Sequence, residues 1–173
     1  MDIAGINHQT WVMKTVREQV ERHYRVGSTR ESRFVAGWST GGYCAANLTS
    51  KYPLDFNAGF ALAGYYHPTF EGSALSKATP QLIADNSPLA RVKAGNVDSR
   101  VRFLSVMSKR DRSTWGDVDN PLMLNGQVWS DGQDFWNHAH ALKQYEFIVL
   151  DQGGHGTGTY VPYLRQCLRW LGQ

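Results

Sequence analysis

The sequence predicts an α/β fold in which a mainly parallel sheet is covered by helices on both faces. Apolar, strand-like segments alternate with amphipathic segments, and one of the former runs directly into a Gly-x-Ser-x-Gly turn followed by an alanine-rich helix. The 173 residues, 42% of them hydrophobic and 19% charged, suffice for one domain with its own core. We therefore expect residues 1–173 to form a single domain.

Hydrophobic periodicity predicts the elements in order. The expected elements are a helix at 10–24, a strand at 33–38, a helix at 40–51, a strand at 56–63, a short helix at 75–82, a strand at 101–107, a helix at 131–144, a strand at 146–151 and a closing helix at 161–171. The first helix has apolar residues at helical spacing with charged residues between them, and the strands are continuous apolar runs typical of buried parallel strands. The stretch 64–100, rich in Gly, Pro, Ser and Asn, is a long connection of the kind that often carries function.

A nucleophile elbow is indicated where the first strand meets its helix, at Gly37-Trp38-Ser39-Thr40-Gly41. Such a sharp turn strains the serine backbone and leaves little room for flanking side chains, a demand that Gly37 and Gly41 meet. The Ser39 hydroxyl would stand clear of the sheet, with the backbone N–H of Thr40 directed at a forming oxyanion. A glycine-rich turn that only packs tightly is the alternative. The glycine patterns of phosphate-binding and dinucleotide-binding loops do not occur.

A histidine and a carboxylate are needed to make a serine hydroxyl nucleophilic, and both are expected at the carboxyl edge of the sheet. In the chain order serine, acid, histidine, Asp111 follows the third strand and His155 follows the last strand in a glycine-rich segment. We therefore predict that Asp111 orients His155 and that His155 acts as base toward Ser39. Asp117 and Asp119 are alternative candidates for the acid because they lie close to Asp111 in the sequence.

Aromatic residues near the elbow and after the second strand are candidates for an ester-binding site. They can equally belong to the core, where aromatic residues are common. The predicted substrate-binding residues are Trp38, Tyr65, Tyr66 and Trp115. His67, which follows two of them directly, is a further candidate for lining this pocket.

No metal or other cofactor is expected. A weak hint of a metal site comes from His138 and His140 with Asp134 upstream, but a spacing of two residues puts the two imidazoles on different faces of a helix. An alternative hypothesis is therefore a small metal-binding protein that uses these three side chains.

Composition argues against several classes of partner. The formal charge of +3 comes from scattered Lys and Arg without a basic run, so nucleic acid is not an expected partner. No apolar segment reaches the length of about 18 residues that a membrane span needs. The first residues lack the basic start and apolar run of a signal peptide, so the sequence as written is expected to be soluble and cytoplasmic by default.

Two segments carry a resemblance to the esterase branch of the α/β-hydrolases, which includes esterase D and the mycobacterial mycolyltransferases. They are Gly37-Trp38-Ser39-Thr40-Gly41-Gly42-Tyr43-Cys44-Ala45-Ala46 and Gly153-Gly154-His155 with the helix at 164–171. The resemblance extends over most of the chain and implies that Ser39 is the nucleophile, His155 the general base and acid, and Asp111 the orienting carboxylate. Some relatives use Glu in that last role, but Glu71 lies before the third strand and Glu146 begins the fourth. Members of the branch are often exported.

The resemblance also implies that this chain corresponds to the C-terminal portion of the fold. A complete hydrolase of the branch has several strands before the elbow strand, and a loop among them supplies the second oxyanion-hole N–H. Residues 1–32 are expected to contain one helix and no strand. The elbow strand would then be an exposed edge, through which the chain is expected to self-associate or to pair with another chain.

These patterns predict a serine esterase that hydrolyses small-molecule carboxylic esters through an acyl-enzyme. Transfer of the acyl group to an alcohol uses the same residues, so an acyltransferase of the mycolyltransferase type is an alternative. A hydrolase fragment without catalytic activity is another, because the second oxyanion donor would be missing.

Overall fold

Four parallel strands with helices on both faces make up most of the structure. The computed structural model describes residues 1–3, 5–68, 76–111, 114–115, 126–139, 142 and 144–172. The N-terminal part consists of β1 (Asp2–Ile3), β2 (Ile6–Asn7) and a helical segment made of α1 (His8–Thr10), a π-helical stretch (Trp11–Val16) and α2 (Arg17–His23). The central part consists of a 3₁₀ turn (Arg30–Ser32), β3 (Phe34–Trp38), α3 (Thr40–Lys51), β4 (Ala58–Leu62), α4 (Pro80–Asp85), α5 (Pro88–Lys93) and β5 (Arg102–Ser108). The C-terminal part consists of β6 (Thr114–Trp115), β7 (Gly126–Gln127), α6 (Val128–His138), β8 (Gln144–Leu150), α7 (Thr157–Tyr160), a 3₁₀ turn (Val161–Tyr163) and α8 (Leu164–Leu171).

The main sheet has the spatial order β3-β4-β5-β8, and all three pairings are parallel. Its register aligns Trp38 with Leu62, Leu62 with Val106, and Ser108 with Leu150. The carboxyl ends of the four strands therefore share one edge of the sheet. The α/β fold with a parallel sheet is confirmed, and the loops after β3, β5 and β8 all begin at that edge.

Helices cover both faces of the sheet, as the sequence predicts. On one face α3 packs against β3 and β4, and Phe135 of α6 packs on Phe103 of β5 with ring centroids 5.5 Å apart. On the other face the Trp170 ring of α8 packs edge-on against Phe60 of β4, at 5.6 Å. Burying a large apolar side chain of this kind stabilises the fold by about 1.5–3 kcal/mol. The two central strands are accordingly mostly apolar. All residues of β4 are buried, and so are the residues of β5 from Phe103 onward.

The outer edge of β3 has no paired strand among the described residues. Ser39 N–H donates to Leu62 O and Arg33 O accepts from Asn57 N–H, so the alternation of a parallel ladder turns the backbone groups of Phe34, Ala36 and Trp38 toward the open side. Apolar side chains flank this edge on both faces. The groove on one side has a volume of about 300 Å³ and is lined by Val12, Val16, Val20, Val26, Phe34 and Phe56, and the 190 Å³ cavity on the other is lined by Trp38, Leu62, Tyr160, Val161 and Leu164.

The N-terminal 32 residues differ from the prediction that they contain no strand. The two-residue strands β1 and β2 pair antiparallel, apart from the main sheet, around Gly5 at φ 83°. A turn with positive φ is accessible to glycine without strain, which allows so tight a connection. Strands of two residues carry no readable periodicity, and for that reason the sequence did not reveal them.

Two other predictions about elements were wrong. The short helix expected at 75–82 is replaced by α4 and α5, whose N-caps Thr79 and Ser87 each accept a backbone N–H and are followed by proline at the first helical position. The helix expected at 131–144 begins and ends earlier, at Val128–His138. Tyr145, which directly precedes the strand expected at 146–151, lies in β8 and packs against Phe135. No helix in the described part of the chain is long and apolar enough to cross a membrane.

Candidate active site

Ser39 lies at a strained turn between β3 and α3. Its backbone adopts φ 58° and ψ −121°, a conformation that non-glycine residues rarely occupy and that costs about 1–3 kcal/mol. Hydrogen bonds on both sides hold it there: Ser39 N–H donates to Leu62 O at 2.9 Å, and Tyr43 N–H donates to Ser39 O at 3.0 Å. The strained backbone expected of an elbow is therefore present at Ser39.

The two glycines of the elbow differ in the space around them. A Cβ at Gly37 would overlap the backbone carbonyl of Gly41, so no side chain fits at position 37. A Cβ at Gly41 would meet no described atom within 4 Å. The sequence argument that both flanking positions exclude side chains holds for Gly37 and is wrong for Gly41.

A chain of hydrogen bonds connects Ser39, His155 and Asp111. The Ser39 Oγ lies 2.8 Å from His155 Nε2, and His155 Nδ1 lies 2.8 Å from Asp111 Oδ2. Because a carboxylate can only accept, Nδ1 carries the hydrogen, and Nε2 of the neutral ring is left to accept from the Ser39 hydroxyl. Asp111 is fully buried, and the His155 side chain is 20% exposed. Asp117 and Asp119, the alternative acids, lie outside the described residues.

The loop that carries the acid and the loop that carries the histidine are tied together. Ser108, the last residue of β5, shares the single hydrogen of its Oγ between the backbone carbonyls of Gln152 and Gly153, which precede His155. Gly153 turns at φ 94°, where a Cβ would overlap Thr159. These contacts hold the start of the His155 loop against the end of β5. Asp111 lies three residues after Ser108, so the contacts also fix the His155 loop relative to the acid.

A tyrosine that the sequence analysis did not single out contacts the acid. Tyr160, at the end of α7, is fully buried, and its hydroxyl donates to Asp111 Oδ2 at 2.9 Å. The same hydroxyl accepts the backbone N–H of Ser108 at 3.3 Å. Burial and the Asp111 carboxylate raise the pKa of Tyr160 well above its usual value, so this hydroxyl keeps its proton.

Trp38 contacts His155. The indole N–H donates to the backbone carbonyl of His155 at 3.1 Å, and the two rings lie 5.0 Å apart at an interplanar angle of 37°. The side chain is 37% exposed, so it keeps a free surface beside Ser39. Trp38 was predicted to bind substrate, and its direct contact with His155 is an additional feature.

Tyr65 and Tyr66 are turned away from solvent. Tyr65 is stacked on Tyr43 at 5.1 Å, and its hydroxyl donates to Thr40 Oγ1 at 3.3 Å. Tyr66 is fully buried, stacks on Phe135 and shares a hydrogen bond with Ser105. Substrate contact through Tyr66 does not fit this burial, because its ring belongs to the core.

Two further predicted positions are Thr40 and Trp115. Thr40 is the first residue of α3, so its backbone N–H has no acceptor within the helix and is available at the elbow. Trp115 belongs to the short strand β6, and its side chain lies outside the part of the chain that the structure describes.

A second histidine–aspartate pair joins the segment after β4 to α6. Asp131 is 6% exposed and accepts the backbone N–H of Tyr66, and its other oxygen lies 2.8 Å from His67 Nδ1. His67 is a candidate from the sequence, but its partner is not readable there, because Asp131 is 64 residues away and no local pattern connects them.

The described residues do not support a metal site at His138 and Asp134. His138 Nδ1 lies 2.8 Å from the Asp134 carbonyl oxygen and 3.2 Å from its carboxylate, and His140 lies outside the described residues. Among the residues with described coordinates, no group of three or more His, Cys, Asp or Glu side chains is arranged to hold a metal ion.

Comparison with protein families gives a match over most of the chain. Residues 6–163 match the family described as "Putative esterase". The chain belongs to this esterase family. The match includes the elbow, the Asp111 loop and the His155 loop. Comparison with curated proteins gives no match.

Solved structures of esterases share the fold of this family member. A ferulic acid esterase is similar with 20% identity and a TM-score of 0.75, over 99% of this chain and 62% of that one. An S-formylglutathione hydrolase from Agrobacterium tumefaciens is similar with 17% identity and a TM-score of 0.73, over 99% and 60%. An enterochelin esterase from Shigella flexneri is similar with 21% identity and a TM-score of 0.66, over 96% and 38%. The chain thus spans less than two thirds of the length of each of these structures, and at these identities the likeness shows the fold alone.

Proposed function

We propose that this chain carries the catalytic centre of a serine esterase that hydrolyses carboxylic esters through an acyl-enzyme. The observation that carries the proposal is the hydrogen-bond chain from Ser39 through His155 to Asp111, with the serine held in a strained elbow. Membership of the esterase family and the fold shared with solved esterases support the same reaction class.

The first half of the reaction forms the acyl-enzyme. Ser39 Oγ attacks the ester carbonyl carbon while its proton moves to His155 Nε2, and the Asp111 carboxylate stabilises the imidazolium that results. The negative charge on the carbonyl oxygen is met by the backbone N–H of Thr40. Collapse of this intermediate breaks the bond to the leaving alkoxide, which takes the proton from His155 Nε2.

The second half releases the acid and restores the enzyme. Water gives a proton to His155 Nε2 and attacks the acyl carbon, and the new intermediate expels Ser39 Oγ, which takes the proton back. An alcohol in place of water gives acyl transfer with the same groups. Water is the proposed acceptor because it needs no further binding site.

A fluorophosphonate probe and p-nitrophenyl acetate and butyrate test this function. We expect covalent labelling and ester hydrolysis by the folded chain, both abolished in Ser39→Ala and both retained in Ser99→Ala, a matched change at an exposed serine. A folded chain that is neither labelled nor active would overturn the proposal and favour the hydrolase fragment without activity. Faster p-nitrophenol release on adding an alcohol, with the acylated alcohol as product, would instead favour the acyltransferase.

We further propose that the chain self-associates through the open edge of β3. The exposed fractions of Phe34 and Trp38, 44% and 37%, and the apolar groove and cavity on either side of the strand support this surface as an interface. An edge strand with unpaired N–H and C=O groups readily pairs with another copy.

Substitutions at Ala36 separate this interface from the fold of the sheet. Ala36→Pro removes an N–H that points to the open side and leaves the ladder with β4 intact, whereas Ala36→Val keeps the N–H. Sedimentation equilibrium is expected to find dimers or larger species for the unaltered chain and Ala36→Val, and monomers for Ala36→Pro. A monomeric unaltered chain at concentrations of tens of micromolar would contradict self-association.

A further inference from the structure

The Asp111 carboxylate receives two hydrogen bonds at the same oxygen. His155 Nδ1 and the Tyr160 hydroxyl lie 2.8 and 2.9 Å from Asp111 Oδ2. The carboxylate and the tyrosine are both fully buried, so these interactions occur in a region of low dielectric. The negative charge of Asp111 therefore interacts with Tyr160 as well as with His155.

The direction of the tyrosine hydrogen bond follows from its other partner. The backbone N–H of Ser108 can only donate, so the Tyr160 hydroxyl accepts there. The single proton of the hydroxyl is then available for Asp111, which can only accept when it is ionised. Burial and the neighbouring carboxylate raise the pKa of Tyr160, and the hydroxyl stays a donor across the range in which esterases are assayed.

We propose that Tyr160 is a positioning residue for the serine esterase reaction. Its hydroxyl fixes the Asp111 carboxylate and draws charge away from the oxygen that holds His155, so that the histidine ring remains free to accept the Ser39 proton at lower pH. This inference rests on the proposed function, because it assigns Tyr160 a role through the acid and base of that reaction.

The physical basis is competition for one oxygen. A carboxylate that already accepts a strong hydrogen bond attracts the second donor less, and it stabilises a positive charge on that donor less. Among the described residues, Asp111 is the titratable group that contacts His155 directly. Tyr160 acts on His155 indirectly, through its hydrogen bond to Asp111. The nearby Lys109–Asp151 ion pair joins the residues after β5 and β8 at the surface and does not include Tyr160.

The position of Tyr160 in the chain makes this contact a link between base and acid. Tyr160 lies five residues after His155, in the helix that begins directly after the histidine loop. Its hydroxyl forms hydrogen bonds with Ser108, the last residue of β5, and with Asp111 in the loop that follows. Tyr160 thereby connects the segment that follows the base with the segment that carries the acid.

The test is the pH dependence of kcat/KM for p-nitrophenyl acetate in Tyr160→Phe. The matched control is Tyr145→Phe, which removes the hydroxyl of a partly buried tyrosine that donates to Ser105 Oγ, toward the end of the sheet opposite to Asp111. In Tyr160→Phe the carboxylate interacts more strongly with protonated His155, so the acid limb of the profile should move to higher pH by about half to one unit. Below that limb kcat/KM should fall about 3- to 10-fold, and it should recover at alkaline pH.

Three further results decide the inference. The shift should vanish when Tyr160→Phe is combined with Asp111→Asn and the residual activity is measured, because the tyrosine acts through that carboxylate. Replacing Tyr160 by 3-fluorotyrosine, a stronger donor of nearly the same size, should move the acid limb to lower pH, and this variant is informative even where phenylalanine impairs folding. The titration midpoint of the His155 ring signals in NMR spectra should move in the same directions.

A Tyr160→Phe profile that coincides with that of the unaltered chain, or one lowered equally at all pH values, would overturn the inference and leave Tyr160 with a purely structural role. Absence of labelling and turnover in the unaltered chain would instead refute the proposed function itself. The two failures are therefore distinguishable.

Discussion

Two histidine–aspartate pairs in this chain have the same local geometry and different surroundings. In both, the histidine Nδ1 lies 2.8 Å from a carboxylate oxygen: His155 with Asp111, and His67 with Asp131. Both carboxylates are buried. The first pair has the strained Ser39 at the opposite ring nitrogen, whereas the second joins the segment after β4 to the first turn of α6 and also fixes the backbone N–H of Tyr66.

A histidine oriented by a carboxylate does not by itself indicate catalysis. What distinguishes the His155 pair is its position, since it bridges the loops after β5 and β8 at the edge where the elbow ends β3. The His67 pair stabilises a connection between a loop and a helix. We therefore expect changes in the first pair to affect the reaction and changes in the second to affect stability.

Removal of each histidine should give the largest contrast. His155→Ala deletes the proposed base, and we expect kcat to fall on the order of 10⁴-fold or more, as single removals from a serine triad do. His67→Ala should keep kcat within about tenfold and lower the free energy of unfolding by about 1–3 kcal/mol, because Asp131 loses a hydrogen-bond partner. Hydrolysis of p-nitrophenyl acetate and urea denaturation measure the two effects. Equal losses of kcat in both variants would contradict the assignment of a catalytic role to His155 alone.

Neutralising each carboxylate should give the next largest contrast. Asp111→Asn no longer holds His155 in the tautomer that accepts from Ser39, so kcat should fall about 10²- to 10⁴-fold with little change in fold. Asp131→Asn brings an amide donor against donors from Tyr66 or His67 and should mainly lower the thermal midpoint. Steady-state kinetics and calorimetry on both variants check this. An active Asp111→Asn variant would shift the assignment of the acid to one of the other candidates, Asp117 or Asp119.

Of the two histidine–aspartate pairs, the His155 pair contacts the elbow, through Ser39. The elbow should tolerate a methyl group at one of its glycines and not at the other. Gly37→Ala forces a Cβ into the Gly41 carbonyl and should destabilise the chain by about 1–3 kcal/mol, with a corresponding loss of fluorophosphonate labelling. Gly41→Ala, the matched control, meets open space and should stay within about 0.5 kcal/mol of the unaltered chain. Labelling rates and unfolding curves of both variants decide the point, and a reversed order would mean that the elbow packs differently.

Trp38 should give the smallest effect. Trp38→Phe keeps an aromatic ring beside His155 and removes the N–H that donates to the histidine carbonyl, whereas Trp38→Leu removes both. During the reaction His155 becomes a cation, and the aromatic ring at position 38 stabilises this charge. Such a contact contributes about 0.5–1 kcal/mol, so kcat/KM should be about 2- to 5-fold lower in Trp38→Leu than in Trp38→Phe. Identical kcat/KM values would show that the ring does not stabilise protonated His155.

The sequence predicted much of the fold because its strands are continuous apolar runs and its elbow is a local motif. The segments at 33–38 and 40–51 correspond closely to β3 and α3. The α4 and α5 helices were missed although their Thr-Pro and Ser-Pro starts are readable signals of a capped helix. The β1–β2 pairing was missed for a different reason, since two-residue strands leave no pattern in the sequence.

The candidate site was partly predictable for similar reasons. Ser39, Asp111 and His155 each follow a strand, and parallel strands bring the ends of such segments to one edge. Tyr160 and Asp131 carry no such signal, because their partners are set by how α7 and α6 pack on the sheet. Tyr66 was predicted to meet substrate because it follows a strand next to Tyr65, and only the structure shows that its ring points into the core.

Identifying the acylated residue during turnover tests directly whether Ser39 is the nucleophile. The chain is mixed with excess p-nitrophenyl acetate, quenched in acid within the first turnovers, and analysed by intact mass spectrometry and peptide mapping. We expect one acetyl group on Ser39, absent in His155→Ala and present in His67→Ala. Ester turnover with the acetyl group on a different residue, or with equal acetylation of Ser39 in the presence and absence of His155, would contradict this expectation.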